Sequence, residues 1–521
     1  MPRRVAAFLF CVFFLLMSRE PPWGDARVTF ETARALLDHG RLNIDLDAPS
    51  YFFTIYQGKK YGFATLGNVL ASAPSIVLFR ALRPAFAALG PQAVSAWAAL
   101  SCHVSAAALM AATAALFYRL CRRRGASPRL SLGLSVGLGL CTICLPYARS
   151  PYSEALQTLA LIWLVERTLT QAQPRSLSRL GMVGLGAAAG VVLNAKLVYA
   201  AVLLPCAGYV LYFLCRPPAP ESPPSRARLV ESLAIAAGSF LPFAGLVAAH
   251  NYIKTGSPFR TGYWGDLFAG DLWPSLYGYV LSSGQSVFLY SPPLLLSVLG
   301  VRQVFQRSDD PAEQQNRRES ALIGLVIAIV TLLNAKYFLW HGAFCWGPRL
   351  MVPLTPLLLL LCLPWLPSAL SRGRVRLRQA AVFVLFGLGA TVQLLGSSLY
   401  WDHFLRIAQT VRDATGGALW SPDYLPHVYF VPQFAPLRGY PWLLSHMVRG
   451  DANLAADAPW RALYSQPIDL SSHFGRLRID HWLLDWGRQP LVAALIFVAF
   501  LLGAALTARS LRLALQREEA G

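Results

Sequence analysis

Apolar residues in this chain of 521 residues form runs of about helix length, separated by shorter polar stretches. Windows such as 321–335, 350–370 and 489–507 contain no charged residue, which is typical of transmembrane helices. The runs predict an all-α polytopic membrane protein with about twelve transmembrane helices, within a range of 11–13. The twelve segments lie near 5–22, 95–118, 130–147, 153–170, 180–194, 197–215, 229–250, 285–302, 320–338, 350–367, 379–400 and 489–508.

The polar connections between these segments alternate in charge. Five are short and basic, and together with both termini they hold about half of the 46 Lys and Arg residues. Because Lys and Arg concentrate in short cytoplasmic loops, these loops and both termini are predicted to be cytoplasmic. The loops are RLCRRRGASPR (119–129), QAQPRSLSR (171–179), RPPAPESPPSRAR (216–228), RQVFQRSDDPAEQQNRRE (302–319) and SRGRVRLRQ (371–379). This distribution explains the net charge of +20 without nucleic acid, and the apolar helices exclude a soluble nucleic-acid binder.

Two apolar stretches, the first of the twelve segments and one outside them, need separate treatment. The run ATLGNVLASAPSIVLFRAL (64–82) is long enough to span a membrane, but a span here would invert every later basic loop. Residues 64–90 are therefore predicted to form a re-entrant or interfacial helix pair. The N-terminal stretch MPRRVAAFLFCVFFLLM resembles a signal peptide, but no small-x-small cleavage site follows it. An uncleaved first helix is therefore preferred over a cleaved signal.

The chain divides into three predicted parts. Residues 1–400 form a transmembrane catalytic domain, whose first outer loop covers 19–94. Residues 401–487 are rich in Trp, Tyr, Phe and Pro and contain no helix-length apolar run, which predicts a small extracytoplasmic insert resting on the membrane. Residues 488–521 supply the last transmembrane helix and a cytoplasmic tail. The nine cysteines lie almost all in apolar runs, so no disulfide framework is expected.

Polar and ionisable residues gather at the predicted outer ends of the helices. Such residues next to membrane helices are costly and usually functional. A transporter would place them near the midplane, at discontinuous helices, so their position favours an outward-facing chemical cavity. They are Asp25, Glu154, Lys196, His250, Asn251, Lys336, His341 and Arg349.

Most of these residues also have a structural interpretation, which the residues alone leave open. Asp25 is as well suited to cap an interfacial helix over 26–39 as to do chemistry. Glu154 is likewise suited to cap the fourth helix, where a negative charge is favourable. Lys196, Lys336 and Arg349 have side chains long enough to snorkel to the membrane surface, and for any single one of them this is the favoured interpretation.

Several other residues favour a structural interpretation. Asp45 and Asp47 are placed to coordinate a divalent metal, but two carboxylates in a loop are more often solvated, and no metal ligand is predicted. His103 fits a satisfied core histidine better than a ligand. Trp340 and Trp346 also fit the aromatic belt at the membrane surface.

A set of short motifs, taken in order and on one side of the membrane, resembles a known family. The motifs are Asp25 in the first outer loop, GKKYG (58–62), PYARSPYSE (146–154), HNYIKTGSPF (250–259), YSPP (290–293) and WGPR (346–349). Over residues 1–400 they are similar to the GT-C superfamily of integral-membrane glycosyltransferases, nearest to bacterial relatives of protein O-mannosyltransferases and the lipid A aminoarabinose transferase. The family has an acidic pair in the first outer loop, whereas this chain has Asp25 alone, with Glu31 as the nearest substitute.

The resemblance implies transfer of a sugar from a polyprenyl-phosphate donor to an acceptor on the outer face of the cytoplasmic membrane. Asp25 would be the base that takes the acceptor proton, and Glu154 would orient the acceptor or supply a second carboxylate. Cations would neutralise the departing phosphate, with Arg349 able to grip it through two nitrogens. The residues expected to bind substrate are Lys59, Lys60, Tyr61, Lys196, Tyr263, His341, Trp346 and Arg349. No cofactor is expected, although relatives differ in metal dependence.

Two other functions compete with this interpretation. One is a transporter or flippase of lipid-linked sugars, and the other is a non-catalytic scaffold for an envelope complex that docks through residues 401–487. The expected partners are a lipid-linked sugar donor, a glycan, glycolipid or protein acceptor, and membrane lipids. The expected location is a bacterial inner membrane. The residues do not specify the sugar, the acceptor, the lipid carrier or the oligomeric state.

Overall fold

The computed structural model of the chain is mostly helical, with one two-stranded sheet among the residues it describes. These residues are 1–49, 52–173, 177–216, 223–263, 266–304, 309–343, 345–366, 370, 376–415, 429–461, 463, 468–487 and 489–520. The all-α polytopic fold predicted from the apolar runs is confirmed.

The helices follow the apolar runs closely. They are α1 Pro2–Leu15, α2 Gly24–His39, α3 Leu66–Ala87, α4 Pro91–Ser101, α5 Val104–Arg123, α6 Pro128–Leu140, α7 Cys144–Ala148, α8 Glu154–Gln171, α9 Arg179–Ala195, α10 Leu203–Cys215, α11 Arg226–Thr255, α12 Leu272–Leu281, α13 Val287–Tyr290, α14 Leu295–Val304, α15 Pro311–Lys336, α16 Thr355–Leu360, α17 Arg376–Ser398, α18 Asp402–Ala414, α19 Pro436–Arg449, α20 Ser471–Phe474 and α21 Pro490–Ala520. Short 3₁₀ helices cover Leu197–Val202, Pro292–Leu294, Arg349–Leu354, Pro432–Phe434 and Trp482–Asp485. The strands β1 Phe53–Tyr56 and β2 Lys59–Gly62 pair antiparallel.

Seven helices among the described residues are long and apolar enough to cross a membrane. Six of them coincide with predicted segments, and the seventh is α3. The other six predicted segments are also helical, but their helices are shorter or more polar. Proline explains two of the interruptions, because it lacks the N–H that a helix interior needs. Segment 285–302 breaks at Pro292 and Pro293, and segment 350–367 begins as a 3₁₀ helix that contains Pro353.

Contacts between helix termini define two ends of the bundle. At the first end, Arg123 at the end of α5 pairs with Glu319 of α15 at 2.9 Å, and Tyr118 donates to Glu518 of α21 at 3.2 Å. Arg4 and Arg517 line one cleft there, which places both chain termini together. Described residues of four predicted basic loops also meet here, because Arg124 donates to the Asn316 carbonyl and Arg228 donates to the Leu177 carbonyl. We call this end the basic end; the fifth loop, 371–379, lies mostly outside the described residues. The opposite end, where α1, α9 and α15 finish, is called the site end.

Helix α3 lies across the site end and does not run from one end to the other. At its start, the Asn68 side chain donates to the Ala195 carbonyl at the end of α9, 2.9 Å away. At its finish, the Leu89 carbonyl accepts from Gln489 at the start of α21, 3.0 Å away. Both contacts are with site-end termini, although α3 has 22 residues and would span about 33 Å at 1.5 Å per residue. These contacts agree with the predicted interfacial position of 64–90, but the predicted helix pair is wrong, because residues 66–87 form one continuous helix and the short α4 begins only at Pro91.

The aromatic-rich stretch after residue 400 packs on the site end. Helices α18 and α19 enclose an apolar core in which Phe434 stacks on Trp460, with ring centroids 5.4 Å apart. A buried link joins this stretch to the bundle, because Asp480 accepts from Ser18 at 2.6 Å and pairs with Arg149 at 3.5 Å. The division into three parts with boundaries at 400 and 487 stays a prediction.

Candidate active site

An arginine shared by two carboxylates lies at the centre of the site end. Arg349 Nη2 is 2.6 Å from Asp25 Oδ2, and its Nε is 2.7 Å from Glu154 Oε1. The three residues come from α2, from α8 and from the 3₁₀ helix that begins at Arg349. The guanidinium also lies over the Tyr152 ring, 4.4 Å from its centroid. The guanidinium is therefore held by Asp25 of α2 on one side and by Tyr152 and Glu154, at the start of α8, on the others.

The local backbone turns Arg349 back toward the carboxylates. Gly347 has a φ of +61°, a conformation that favours glycine, and a Cβ there would lie 2.6 Å from the Tyr290 ring. Pro348 then precedes the 3₁₀ helix that starts at Arg349. The WGPR motif thus supplies a tight turn that needs both the conformational freedom and the small size of its glycine.

Asp25 lies in the first turn of α2 but does not cap it. The N-cap position belongs to Trp23, and no side chain caps the helix. Asp25 Oδ1 accepts from the backbone N–H of the next residue, Ala26, at 3.0 Å, while Oδ2 is held by Arg349. A carboxylate in the first turn is still favoured by the helix dipole. Of the two interpretations of Asp25, as an N-cap or as a chemical group, the N-cap role is therefore wrong.

The two carboxylates differ sharply in their exposure to solvent. The Asp25 side chain is 53% exposed, whereas that of Glu154 is 2% exposed. Glu154 is the first residue of α8 and does not cap it either. A buried carboxylate must be paired to be tolerated, and Arg349 is that partner. Glu154 is thus anchored inside the protein, whereas Asp25 remains open to a ligand.

Lys196 lies close to this cluster at the end of α9. Its Nζ donates to Asn334 Oδ1 at 3.3 Å and lies 5.2 Å from the Tyr199 ring centroid. Burial lowers the pKa of Lys196 to about 8, although the nearby Glu154 carboxylate opposes the shift. The contact also joins the two NAK triplets of the sequence, 194–196 and 334–336.

Three of the predicted substrate-binding residues lie on the β-hairpin and not beside Arg349. Lys59 is exposed, and Tyr61 is buried and forms a bridge with Asn43. Lys60 donates to the Leu46 carbonyl at 3.3 Å. In the described part of the chain, no hydrogen bond or ion pair joins these three side chains to Asp25, Glu154 or Arg349. Their assignment to the substrate site stays a prediction.

The other predicted residues border the cluster to different degrees. Tyr263 is 43% exposed and stacks on Phe63 at 5.0 Å, so its ring is open to a ligand. His341 is buried, accepts from the Ala343 N–H at 3.1 Å, and has its pKa lowered to about 4 by burial. Trp346 is 2% exposed and packs against Tyr440 of the aromatic-rich stretch. His341 and Trp346 are therefore both buried, and their assignment to the substrate site stays a prediction.

Aromatic residues near Asp25 were not singled out from the sequence. Trp23 and Tyr152 both lie within 6.2 Å of the Trp401 ring, measured between centroids. Trp401 begins the aromatic-rich stretch, so that stretch forms part of the wall beside Asp25. Tyr152 lies two residues before Glu154 in PYARSPYSE, and this short spacing was the one available signal for it.

Metal ligands do not cluster near this site. Within the described ranges there is no group of three or more His, Cys, Asp or Glu residues able to hold a metal ion.

Of the comparisons with known proteins, the comparison with solved structures gives matches. No family model and no curated protein matches the chain. Two crystal structures of ArnT from Cupriavidus metallidurans do resemble it. The structure in the apo state has a TM-score of 0.45 and 14% identity, covering 96% of this chain and 75% of ArnT. The structure bound to undecaprenyl phosphate has a TM-score of 0.42 and 14% identity, covering 98% and 76%. A likeness of this degree does not extend the activity of ArnT to this chain.

Proposed function

We propose that this protein is a membrane glycosyltransferase that moves a sugar from a polyprenyl-phosphate donor to an envelope acceptor. The observation that carries the proposal is the half-exposed Asp25 carboxylate, held by a buried Arg349–Glu154 pair at the level of the interfacial helix α3. The site end would face the outer side of a bacterial cytoplasmic membrane, because the basic loops gather at the opposite end.

In the proposed reaction, an acceptor hydroxyl attacks the anomeric carbon of the donor sugar. The bond from that carbon to the phosphate oxygen breaks, and the lipid phosphate leaves with the electron pair. The acceptor proton goes to Asp25, which would come within about 2.6–3.2 Å of the hydroxyl in the reacting complex. Arg349 acts as a positioning residue, because it fixes the Asp25 carboxylate and is itself anchored by Glu154.

Positive charge is needed to neutralise the departing phosphate. The Asp25–Arg349–Glu154 cluster contains one cation and two carboxylates, so it supplies no net positive charge. Two carboxylates share one guanidinium, and both Nε and Nη2 of Arg349 are already engaged. Lys196 supplies the additional cation in this proposal, since it lies close enough for Glu154 and Arg349 to influence its pKa. Cations in a site shielded from water stabilise such charge strongly. The reaction as proposed uses no metal.

The proposal is tested by complementing a deletion strain and measuring its envelope glycolipids and glycans by mass spectrometry. The wild-type protein should restore a sugar-bearing species that the deletion lacks, whereas Asp25→Asn, expressed at the same level in the membrane, should not. Asp38→Asn is the matched control, because Asp38 lies on the same helix and pairs with Arg80 away from the site. A deletion strain with unchanged envelope sugars would refute the function, whereas restoration by Asp25→Asn would refute only the role of Asp25.

The rival function, transport of lipid-linked sugars, receives no comparable support. A transporter places polar groups at the midplane between its two halves. The Asp25–Arg349–Glu154 cluster lies instead at one end of the bundle, and the Arg123–Glu319 pair lies at the other. We therefore do not propose transport.

A further inference from the structure

A cleft opens beside α2, on the side of the helix that faces away from Asp25, and we call it the α2 cleft. It has a volume of about 470 Å³ and is lined on α2 by Arg27, Phe30 and Glu31. At 100° per residue these three positions lie on one face, opposite to Asp25. The α2 cleft is therefore separate from the candidate active site and does not present a ligand to the proposed base.

Small residues on and just after α4 form the floor of the α2 cleft. They are Ser95, Ala98, Ala99 and Cys102, and their spacing of three, four and seven residues puts them on one helical face. The larger Trp97 is buried on the other side of α4. Ser95 and Ala98 are exposed, so the floor is a mostly apolar surface of short side chains that is open to an acyl chain.

Both carboxylates that line the α2 cleft are already paired with arginine. Asp485 pairs with Arg19, and Glu31 pairs with Arg34 of its own helix at 3.3 Å. The lining contains three arginines and these two carboxylates, so its net charge is +1. A cationic group would find no unpaired carboxylate among the described residues that line the cleft, whereas an anionic group is favoured.

The arginines of the lining keep N–H groups available to a ligand. Arg27 is exposed, and its side chain has no hydrogen bond or ion pair with any described residue. Arg478 holds Glu20 through Nε at 3.0 Å and Nη2 at 2.8 Å, yet its side chain is still 52% exposed. Because a guanidinium carries five N–H donors, both arginines can donate to an anion with several acceptor oxygens. Phosphate is such an anion, and a guanidinium binds it through charge-assisted hydrogen bonds.

The α2 cleft lies at the level of the lipid headgroups. Helix α4 follows the interfacial helix α3 and leads into α5, and Pro91–Arg123 together are long and apolar enough to cross a membrane. Asp485 and Gly487, which also line the cleft, lie just before α21, another helix of that kind. The charged rim is therefore close to the membrane surface, and the small-residue floor leads toward the hydrocarbon region.

We propose that the α2 cleft binds an anionic phospholipid whose headgroup has a phosphodiester and no ammonium group, of the phosphatidylglycerol kind. The phosphate binds at Arg27 and Arg478, and the start of an acyl chain packs along the α4 floor. A zwitterionic headgroup would bring an ammonium group to a lining that has a net positive charge and whose two carboxylates are paired. This binding is independent of the proposed transfer reaction, because the cleft faces away from Asp25.

The test is lipid binding by the purified, delipidated full-length protein. Dioctanoyl forms of phosphatidylglycerol, phosphatidylethanolamine and phosphatidylcholine are titrated in turn, and the bound lipid is counted by native mass spectrometry. We expect phosphatidylglycerol to bind most tightly, and Arg27→Gln to weaken its binding about tenfold, as the loss of a charge-assisted contact predicts. Inorganic phosphate should not displace the lipid, because it has no acyl chain to pack on the α4 floor.

Two further variants make the result specific to the α2 cleft. Ala98→Leu extends an exposed side chain of the floor into the open space, and should weaken phosphatidylglycerol binding to a similar degree. Arg41→Gln is the matched control, because Arg41 is an exposed arginine just beyond the end of α2 that does not line the cleft, and it should leave binding unchanged.

Three results would overturn the proposal. The first is equal affinity for the three lipids, and the second is an affinity for phosphatidylglycerol that is unchanged in both Arg27→Gln and Ala98→Leu. The third is displacement of the lipid by inorganic phosphate, since the cleft would then bind free anions and not a lipid.

Discussion

Replacing Arg349 by lysine distinguishes its contact with Glu154 from its contact with Asp25. Arginine reaches Glu154 and Asp25 with two different nitrogens, Nε at 2.7 Å and Nη2 at 2.6 Å. Lysine has a single nitrogen at the end of a flexible stem, so it can satisfy one carboxylate well but not both in the same geometry. The outcome depends on which carboxylate it keeps.

The exposures of the two carboxylates decide that question. Glu154 is 2% exposed, and leaving a buried charge unpaired costs about 3–5 kcal/mol. Asp25 is 53% exposed, and a pair this open to solvent contributes about 0–1 kcal/mol. Lysine should therefore stay with Glu154 and release Asp25. We expect a small loss of folding stability, about 1–2 kcal/mol for the poorer geometry at Glu154, but a loss of activity near 100-fold because the base is no longer positioned.

The assay compares thermal unfolding in detergent with the rate of sugar transfer for the wild type and Arg349→Lys. Adding Asp25→Glu to Arg349→Lys supplies a specific check, because the longer carboxylate can reach the shorter cation and should recover about tenfold of the rate. A purely structural role for Arg349 predicts no such recovery. The reasoning is refuted if Arg349→Lys transfers sugar within about threefold of the wild-type rate.

Three other predictions follow from particular contacts. Burial lowers the pKa of Lys196 to about 8, so its charge is present below pH 8 and lost above it; donor affinity should fall as pH rises through 8, and Lys196→Arg should move that fall to higher pH. Gly67→Ala should destabilise the protein by about 1–3 kcal/mol, because the new Cβ would lie 2.5 Å from a backbone oxygen of α9. Gly133→Ala is the matched control, because a Cβ at that position meets open space. Equal melting temperatures for the two variants would contradict the close packing of α3. In a variant without native cysteines, an impermeant maleimide should label Lys59→Cys but not Glu313→Cys in intact cells, and the reverse pattern would invert the topology.

The gathering of the basic loops at one end of the bundle was predictable because it depends on residues that are close in sequence. Short loops carry the basic residues, and each loop sets the direction of the two helices that flank it. The same distribution of basic residues predicted that residues 64–90 do not cross the bundle, although the length and composition of this stretch alone allow a membrane span. The contacts of Asn68 and Leu89 with site-end termini agree with the charge rule and not with hydropathy.

The partners of the charged residues were not predictable, because they are set by tertiary structure. Arg349 lies 324 residues from Asp25 and 195 from Glu154, and no local pattern connects positions so far apart. His341 and Trp346 were expected to bind substrate, but the aromatic-rich stretch packs over them. Local rules also failed at Asp25, where the preference of aspartate for the N-cap gave way to its pairing with Arg349.

The sharing of Arg349 between two carboxylates has a consequence for how the donor would enter. Nε and Nη2 hold Glu154 and Asp25, but a guanidinium carries five N–H donors, so a lipid phosphate can bind the remaining N–H groups without displacing either carboxylate. Arg349 would then hold the proposed base and the phosphate at the same time, with Lys196 as the additional cation. On this argument Asp25→Asn, which removes a negative charge from beside the phosphate, should bind the donor at least as tightly as the wild type while failing to transfer the sugar; weaker donor binding by Asp25→Asn would mean that Arg349 does not receive the phosphate.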